Sequence, residues 1–293
     1  MRKRLHGVVV AGAAGAVIVA LSCAMGPLSA QAPTAGQFPP YQPPRGTDGN
    51  PDVSGFWQAF VTANIDLLDH DAQPGPTPET MGAYGAWPAG QGIVEGGEIP
   101  YRPEALARKQ QNADNRMTVN ISSDARRHET GDPELKCYRP GVPRATYMPF
   151  PFQIIQSQQY ILIVHEYANA LRTIYMDDHK EAPAESWMGW SNGRWDGNTL
   201  VVDTAGFVPY TWFDRAGNHH SDALRVVERY TPVSPYHLMY EATIEDPKVF
   251  TRPWKIRFPL YRRMEQNVQL LDFNCVPFTE ELLYRHLRRQ PTQ

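Results

Sequence analysis

The stretch of sequence at residues 193–204 reads GRWDGNTLVVDT, and it decides the fold. Asp196-Gly197 stands between two runs of strand-forming residues, 193–195 and 199–204. An Asp-Gly pair favours a tight hairpin turn because both residues tolerate the positive φ angles of that turn. The stretch therefore predicts a β-hairpin.

Other runs rich in β-branched and aromatic residues follow one another from Phe150 onwards, with short turns between them. Together with the hairpin they predict eight or nine strands. No long helical pattern lies between the runs, which argues against a parallel βαβ sheet. The other predicted strands are residues 152–156, 160–167, 171–176, 224–230, 237–245, 255–261 and 268–275.

The strand face that carries Glu228 decides between a predicted barrel and a predicted sandwich. Glu228 shares one face of its strand with Leu224, Val226 and Tyr230, because side chains alternate along a strand. A plain two-sheet core would exclude that carboxylate, whereas a barrel with a partly polar interior accepts it. We therefore predict a mainly β protein with an antiparallel, lipocalin-like β-barrel, and a β-sandwich is the alternative.

The N-terminus has the three-part layout of a secretory signal peptide. Three basic residues at positions 2–4 precede an uncharged apolar run over 8–21, and Leu28-Ser29-Ala30 offers a small-residue cleavage site. We predict cleavage after residue 30 and a periplasmic or secreted protein. An uncleaved anchor and a lipid attached to Cys23 are the alternatives.

Charge excludes one class of partner. Without residues 1–30 the chain has 25 Lys and Arg against 31 Asp and Glu, a net charge of −6. The sequence also contains no basic cluster with interleaved aromatic residues, so nucleic acid is not an expected partner. After the N-terminal run, no segment has the length of a membrane span.

The two remaining cysteines, Cys137 and Cys275, form an even pair in a chain predicted to be exported. An oxidising compartment favours a disulfide between them. Two unrelated buried thiols are the alternative.

One domain is predicted after the signal peptide. Residues 31–50 are a Pro/Gly-rich linker, and 51–293 form the β domain. Within that domain, 51–149 are predicted to be an irregular arm with a short helix over 103–115, and 150–275 the main sheet. Residues 278–289 have the pattern of a closing helix.

The opening of the domain, PDVSGFW at residues 51–57, resembles the P-D-L-S-G-x-W opening of a large group of exported bacterial proteins. That group has no agreed reaction, so the resemblance implies export and no particular activity. Gly55-Phe56-Trp57 also gives a looser likeness to the lipocalin-like (calycin) barrels. The likeness to the exported group continues through residues 137–144, 193–204, 212–214, 220–221, 228–230 and 245–247.

The densest group of polar residues lies between Trp212 and Arg229. Within it, His220 is a candidate general base because its ordinary pKa lies near neutrality. Asp214 would orient His220, and Glu228 would act as an acid if burial raised its pKa. The alternative is that this loop caps the barrel and that Glu228 forms a structural ion pair.

Ligand binding is the function we predict, with a small, largely apolar or aromatic molecule inside the barrel. Seven aromatic residues between 187 and 213 would line the cavity or build the core. His165 shares a face with Ile161 and Ile163, so it would point inward as a ligand contact or as a core residue. The predicted ligand-binding residues are Trp212, His165, Tyr167, Trp190 and Arg229.

Known catalytic motifs do not appear. The sequence has no H-E-x-x-H, no paired C-x-x-C, no G-x-S-x-G and no phosphate-binding glycine loop. We expect neither a metal nor a cofactor, and a zinc site built from His165, His220 and a carboxylate is the alternative. Two alternatives to a ligand-binding barrel remain. One is a cofactor-independent isomerase, hydratase or lyase, and the other is an envelope interaction protein that docks through residues 31–100.

Overall fold

The Asp196-Gly197 turn joins two strands of a hairpin, as residues 193–204 predict. Trp190–Asp196 pairs antiparallel with Thr199–Ala205, and Gly197 takes a φ of +60°. The computed structural model describes residues 41–74, 86–116, 131–176 and 181–277, with positions 279, 283 and 286. These residues belong to one unit, residues 41–293. The predicted signal peptide, Cys23, the first part of the linker and most of the closing helix lie outside the described residues.

Nine strands close into a β-barrel, which confirms the predicted barrel and not the sandwich. They follow one another around the barrel in chain order, and the last strand pairs with the first. The strands are β1 Gly55–Ala59, β2 Phe152–Gln156, β3 Tyr160–His165, β4 Leu171–Tyr175, β5 Trp190–Asp196, β6 Thr199–Ala205, β7 Arg225–Ser234, β8 His237–Glu245 and β9 Trp254–Arg262.

One pair of strands differs from the antiparallel prediction. β4 and β5 run parallel, with Ile174 opposite Ser191, while the other eight neighbouring pairs are antiparallel. A parallel pair needs a long connection that returns the chain to the same end of the sheet. The connection over residues 176–189 has that length, so the sheet is mixed.

Residues 268–275 do not form the predicted strand. The strand that closes the barrel is β1 instead. β1 pairs with β2 on one side and with β9 on the other, so it completes the barrel. No sheet edge is left for residues 268–275, and they follow β9 as an extended segment. Part of the predicted N-terminal arm is therefore a barrel strand.

Two helices accompany the barrel within the described residues. α1, Pro103–Asp114, begins with proline at its first turn and confirms the predicted short helix. α2, Arg144–Tyr147, is buried along its whole length and packs against β1. Large inward-facing side chains fill the interior of the barrel. Among them, Trp57, Phe152, Tyr240 and Phe258 are at most 3% exposed.

A disulfide joins Cys137 and Cys275, with the two Cα atoms 5.7 Å apart, which confirms the predicted pairing. A disulfide of this kind fits an extracellular or periplasmic location. Among the residues that the structure describes, no helix is long and apolar enough to cross a membrane.

Candidate functional site

A buried ion pair lies at the centre of the barrel. Arg172 on β4 donates from Nη1 to Oε1 of Glu228 on β7 at 3.1 Å, and its Nη2 donates to Oε2. The hydroxyls of Tyr230 and Tyr240 each donate to Glu228 Oε1 at 2.9 Å. Burial, and then the charge of Glu228, raise the pKa of both tyrosines well above their ordinary value, so both remain protonated donors.

The rest of the Arg172 guanidinium is also hydrogen bonded. Its Nε donates to Ser191 Oγ at 2.9 Å and its Nη2 to Thr204 Oγ1 at 2.7 Å. Glu228 faces inward, as the alternation of β7 predicts, but it accepts hydrogen bonds on both carboxylate oxygens. This is the arrangement of a structural ion pair and not that of an acid turned towards a substrate.

His220, the predicted base, lies at one end of the barrel with the rings of Phe207 and Phe213 beside it. Its Nδ1 lies 2.8 Å from the carbonyl oxygen of Ser221 and its Nε2 2.5 Å from Thr211 Oγ1. Nδ1 therefore donates and Nε2 accepts. Burial lowers the pKa of His220 to about 4, so the ring is neutral near pH 7.

Asp214 does not orient His220. Its carboxylate instead accepts hydrogen bonds from the backbone N–H of Leu67 at 2.9 Å and of Asn218 at 3.1 Å. Burial, and then the nearby charge of Asp66, raise the pKa of Asp214 to about 7. The carboxylate closes the loop that carries His220, and the structure shows no hydrogen bond among His220, Asp214 and Glu228.

The predicted ligand-binding residues do not converge either. Trp212 is buried and pairs through its backbone with His219. Arg229 lies on the outside of the barrel, where its Nη2 is 2.8 Å from Asp196 Oδ2. Tyr167 follows β3 and donates from its hydroxyl to the carbonyl of Glu134 at 3.0 Å.

His165 faces the interior, as its place in β3 predicts. The side chain is 3% exposed, and its ring centre lies 5.3 Å from that of Phe152. Neither ring nitrogen meets a hydrogen-bond partner in the described part of the chain. Burial, and then the charge of Arg172, lower the pKa of His165 to about 3.

This buried histidine predicts a pH dependence of stability. The pKa is lower in the folded protein than the ordinary value of about 6.5, so the unfolded chain takes up the proton first as the pH falls. The free energy of unfolding therefore falls below pH 6.5, by at most about 1.4 kcal/mol per pH unit from this group. His165→Leu is expected to flatten that fall and to stay near wild type at pH 7.5, measured by urea denaturation across the pH range.

Phe152→Leu is the control for the pH series because it disturbs the same packing without removing a titrating group. It is expected to shift the stability equally at every pH. Parallel curves for wild type and His165→Leu between pH 7.5 and 4.5 would contradict the prediction.

Sequence reasoning missed a second ionic cluster, centred on Arg144 of α2. Its guanidinium donates to Asp132 at 2.9 Å, to Glu134 at 2.7 Å and to Asn64 at 2.8 Å. Arg215 donates to the same Glu134 carboxylate at 2.8 Å. The one available signal was the motif at residues 137–144, which ends on Arg144.

A groove lies on the outer face of β2, β3 and β4. Its volume is about 400 Å³. Register places Leu162 between Ile155 and Thr173, and Tyr160 beside Tyr175. The groove is lined by Ile155, Ser157, Tyr160, Leu162, Thr173 and Tyr175.

Aromatic rings flank the groove. The rings of Tyr160 and Tyr175 meet edge to face with their centres 5.7 Å apart. Trp190, one of the predicted ligand-binding residues, stacks on Tyr175 with ring centres 4.4 Å apart and planes 14° apart. Tyr175 is therefore held in place from two sides.

The outer face of β2–β4 differs from that of β7–β9. Arg225 and Arg257 lie on the latter face and pair with Asp203, Glu245 and Glu241. On β2–β4 the outward positions are mostly apolar, and Ile155, Tyr160 and Leu171 are 43%, 40% and 52% exposed. Contiguous apolar surface of this kind marks an interaction site more often than singly scattered apolar residues do.

The fold and the outer surface define the class of protein. It is a closed nine-stranded β-barrel with a buried ion pair inside and an apolar groove on its outer face. No model of a known protein family matches the chain, and a search of curated proteins gives no match.

Proposed function

We propose that this protein is an exported β-barrel that binds a small, largely apolar or aromatic molecule in the groove formed by β2, β3 and β4. The observation that carries the proposal is the preformed, apolar groove of about 400 Å³ on a barrel whose β7–β9 face is charged. This volume lies within the range of small-molecule sites, roughly 300–1,000 Å³.

The lining indicates the chemistry of the ligand. None of the described residues that line the groove is charged, so nothing there would offset the charge of an ion. Tyr160 and Tyr175 present ring surfaces, and their hydroxyls and that of Thr173 offer neutral hydrogen bonds. These features favour an uncharged aromatic or aliphatic molecule over a carboxylate or an amine.

The interior is the less favourable place for such a ligand. Large side chains occupy it, and its polar centre is already hydrogen bonded through Arg172 and Glu228. The acid–base alternative has no support in the contacts, because His220 and Asp214 are each bound to other groups. The proposal therefore keeps the predicted ligand class and moves its site from the interior to the outer face.

Titration with N-phenyl-1-naphthylamine, a neutral aromatic fluorophore, tests the proposal. We expect saturable binding by wild type and binding at least tenfold weaker by Leu162→Asn, because the change places an amide on the groove floor. Tenfold in affinity corresponds to about 1.4 kcal/mol. The matched control is Met239→Asn, which makes the same kind of change on the outward face of β8 and should leave binding unchanged.

Other outcomes of the titration would overturn the groove as the site. One is the absence of saturable binding by wild type, and the other is equal weakening by Leu162→Asn and Met239→Asn. If His165→Leu abolishes binding while Leu162→Asn does not, the ligand lies inside the barrel.

A further inference from the structure

The segment that follows β9 is held to the barrel at few points. Of residues 271–275, Leu271, Asp272 and Asn274 are exposed, while Phe273 and Cys275 are half-buried. Segments with few buried contacts open locally at low free-energy cost. What keeps this tail in place is therefore a small set of identifiable contacts.

Phe273 packs on an aromatic patch formed by Phe150 and Tyr167, whose own ring centres lie 5.6 Å apart. The ring centre of Phe273 lies 5.3 Å from that of Phe150, edge to face, and 4.8 Å from that of Tyr167. Phe150 lies two residues before β2, and the Tyr167 hydroxyl donates to the carbonyl of Glu134. Tyr167 is therefore fixed by a contact outside the tail.

The turn beside the patch also contacts the backbone of the tail. Oε2 of Glu166 accepts a hydrogen bond from the N–H of Leu271 at 2.8 Å, and Nδ2 of Asn169 donates to the carbonyl of Phe273 at 3.5 Å. Ala168 and Asn169 have φ angles of 55° and 46°, in the left-handed region that is unfavourable for alanine. Strained turns of this kind cluster at binding sites.

We propose that the patch formed by Phe150 and Tyr167 is a docking site for an extended peptide segment carrying an aromatic residue. The chain's own tail covers it, and the Cys137–Cys275 disulfide holds the tail there. Side-chain pockets combined with backbone hydrogen bonds are the usual means of recognising extended peptides. The inference is independent of the groove on β2–β4.

Reduction of the Cys137–Cys275 disulfide would remove the covalent link that holds the tail. A dithiol reductant supplies two electrons and two protons, the S–S bond breaks to give two thiols, and the dithiol becomes a disulfide. The tail then competes with other segments only through its high effective concentration, which is millimolar for short flexible tethers. Another aromatic segment of sufficient affinity would displace it.

A peptide-binding measurement on the full chain tests this. The protein carries Cys275→Ser and Phe273→Ala, so its tail no longer competes, and the probe is a fluorescein-labelled peptide of residues 268–275 with serine at its last position. We expect saturable binding by fluorescence anisotropy. We expect binding at least tenfold weaker for the same peptide with Phe273→Ala, and at least tenfold weaker for oxidised wild-type protein.

Two further variants of the double-variant protein test the patch and the turn beside it. Phe150→Ala should abolish peptide binding, and Glu166→Gln, at a half-buried position, should weaken it without disturbing the core. Circular dichroism confirms that each protein is folded. The proposal is overturned if the folded double variant binds no peptide, if both peptides bind equally, or if oxidised wild type binds as well as the double variant.

Discussion

Arg172→Met is expected to lower the free energy of unfolding by about 3–5 kcal/mol, the usual effect of removing one partner from a buried ion pair. Glu228 is fully buried, and without Arg172 its carboxylate would retain only the two tyrosine hydroxyls as donors. Ser191 and Thr204 would lose a partner in the same step. Urea denaturation at pH 7 measures the loss.

The double variant Arg172→Met/Glu228→Leu separates the cost of a lone charge from the value of the pair. Replacing both charges by apolar side chains is often neutral or stabilising, so the double variant should recover most of the loss. Arg229→Met, one residue further along β7, removes an outer ion pair whose side chains are 40% and 61% exposed. Exposed pairs contribute about 0–1 kcal/mol, so this control should change little. Equal losses for Arg172→Met and Arg229→Met would refute the buried pair as a source of stability.

Local patterns predicted much of the barrel. The Asp-Gly turn predicted the hairpin, and the alternation of β7 predicted the inward direction of Glu228. The bounds of β8 agree with the prediction, whereas β7 continues to Ser234, four residues beyond the predicted end. These features depend on neighbours in sequence, which is why a single chain reveals them. Alternation also placed His165 inside.

The partners of these residues could not be predicted because they depend on register across the barrel. Arg172 meets Glu228 from a strand 56 residues away, and the meeting requires the parallel pairing of β4 with β5.

The choice of the strand that closes the barrel, β1, also depends on pairing across the barrel. Residues 268–275 have as good a strand pattern as β1, yet only one of the two segments finds a free edge at β9. The groove left a clearer signal: positions 160–164 are apolar on both faces of β3. A strand that is apolar on both faces is covered on both faces or exposes an apolar surface.

Arg144→Met is expected to have an effect as large as that of Arg172→Met, about 3–5 kcal/mol. It leaves Asp132 buried without its arginine partner and removes one of the two arginines that pair with Glu134. Arg144→Lys should recover only part of this loss, because an ammonium cannot reproduce the forked contacts of a guanidinium with two carboxylates. Arg215→Met is the milder comparison, since that side chain is 22% exposed and pairs with Glu134 nearer the surface.

The pH dependence of unfolding distinguishes loss of the Arg144 charge from a packing defect. Arg215 and Arg144 lower the pKa of Glu134 to about 2, against the opposing effect of burial. The stabilisation from this carboxylate is therefore complete above its ordinary pKa of about 4.5 and is lost as the pH falls towards 2. Arg144→Met should raise the folded pKa of Glu134, so its deficit relative to wild type should shrink as the pH falls from 5 towards 3. A deficit that stays constant over this range would show that Arg144 stabilises the fold by packing and not through its charge.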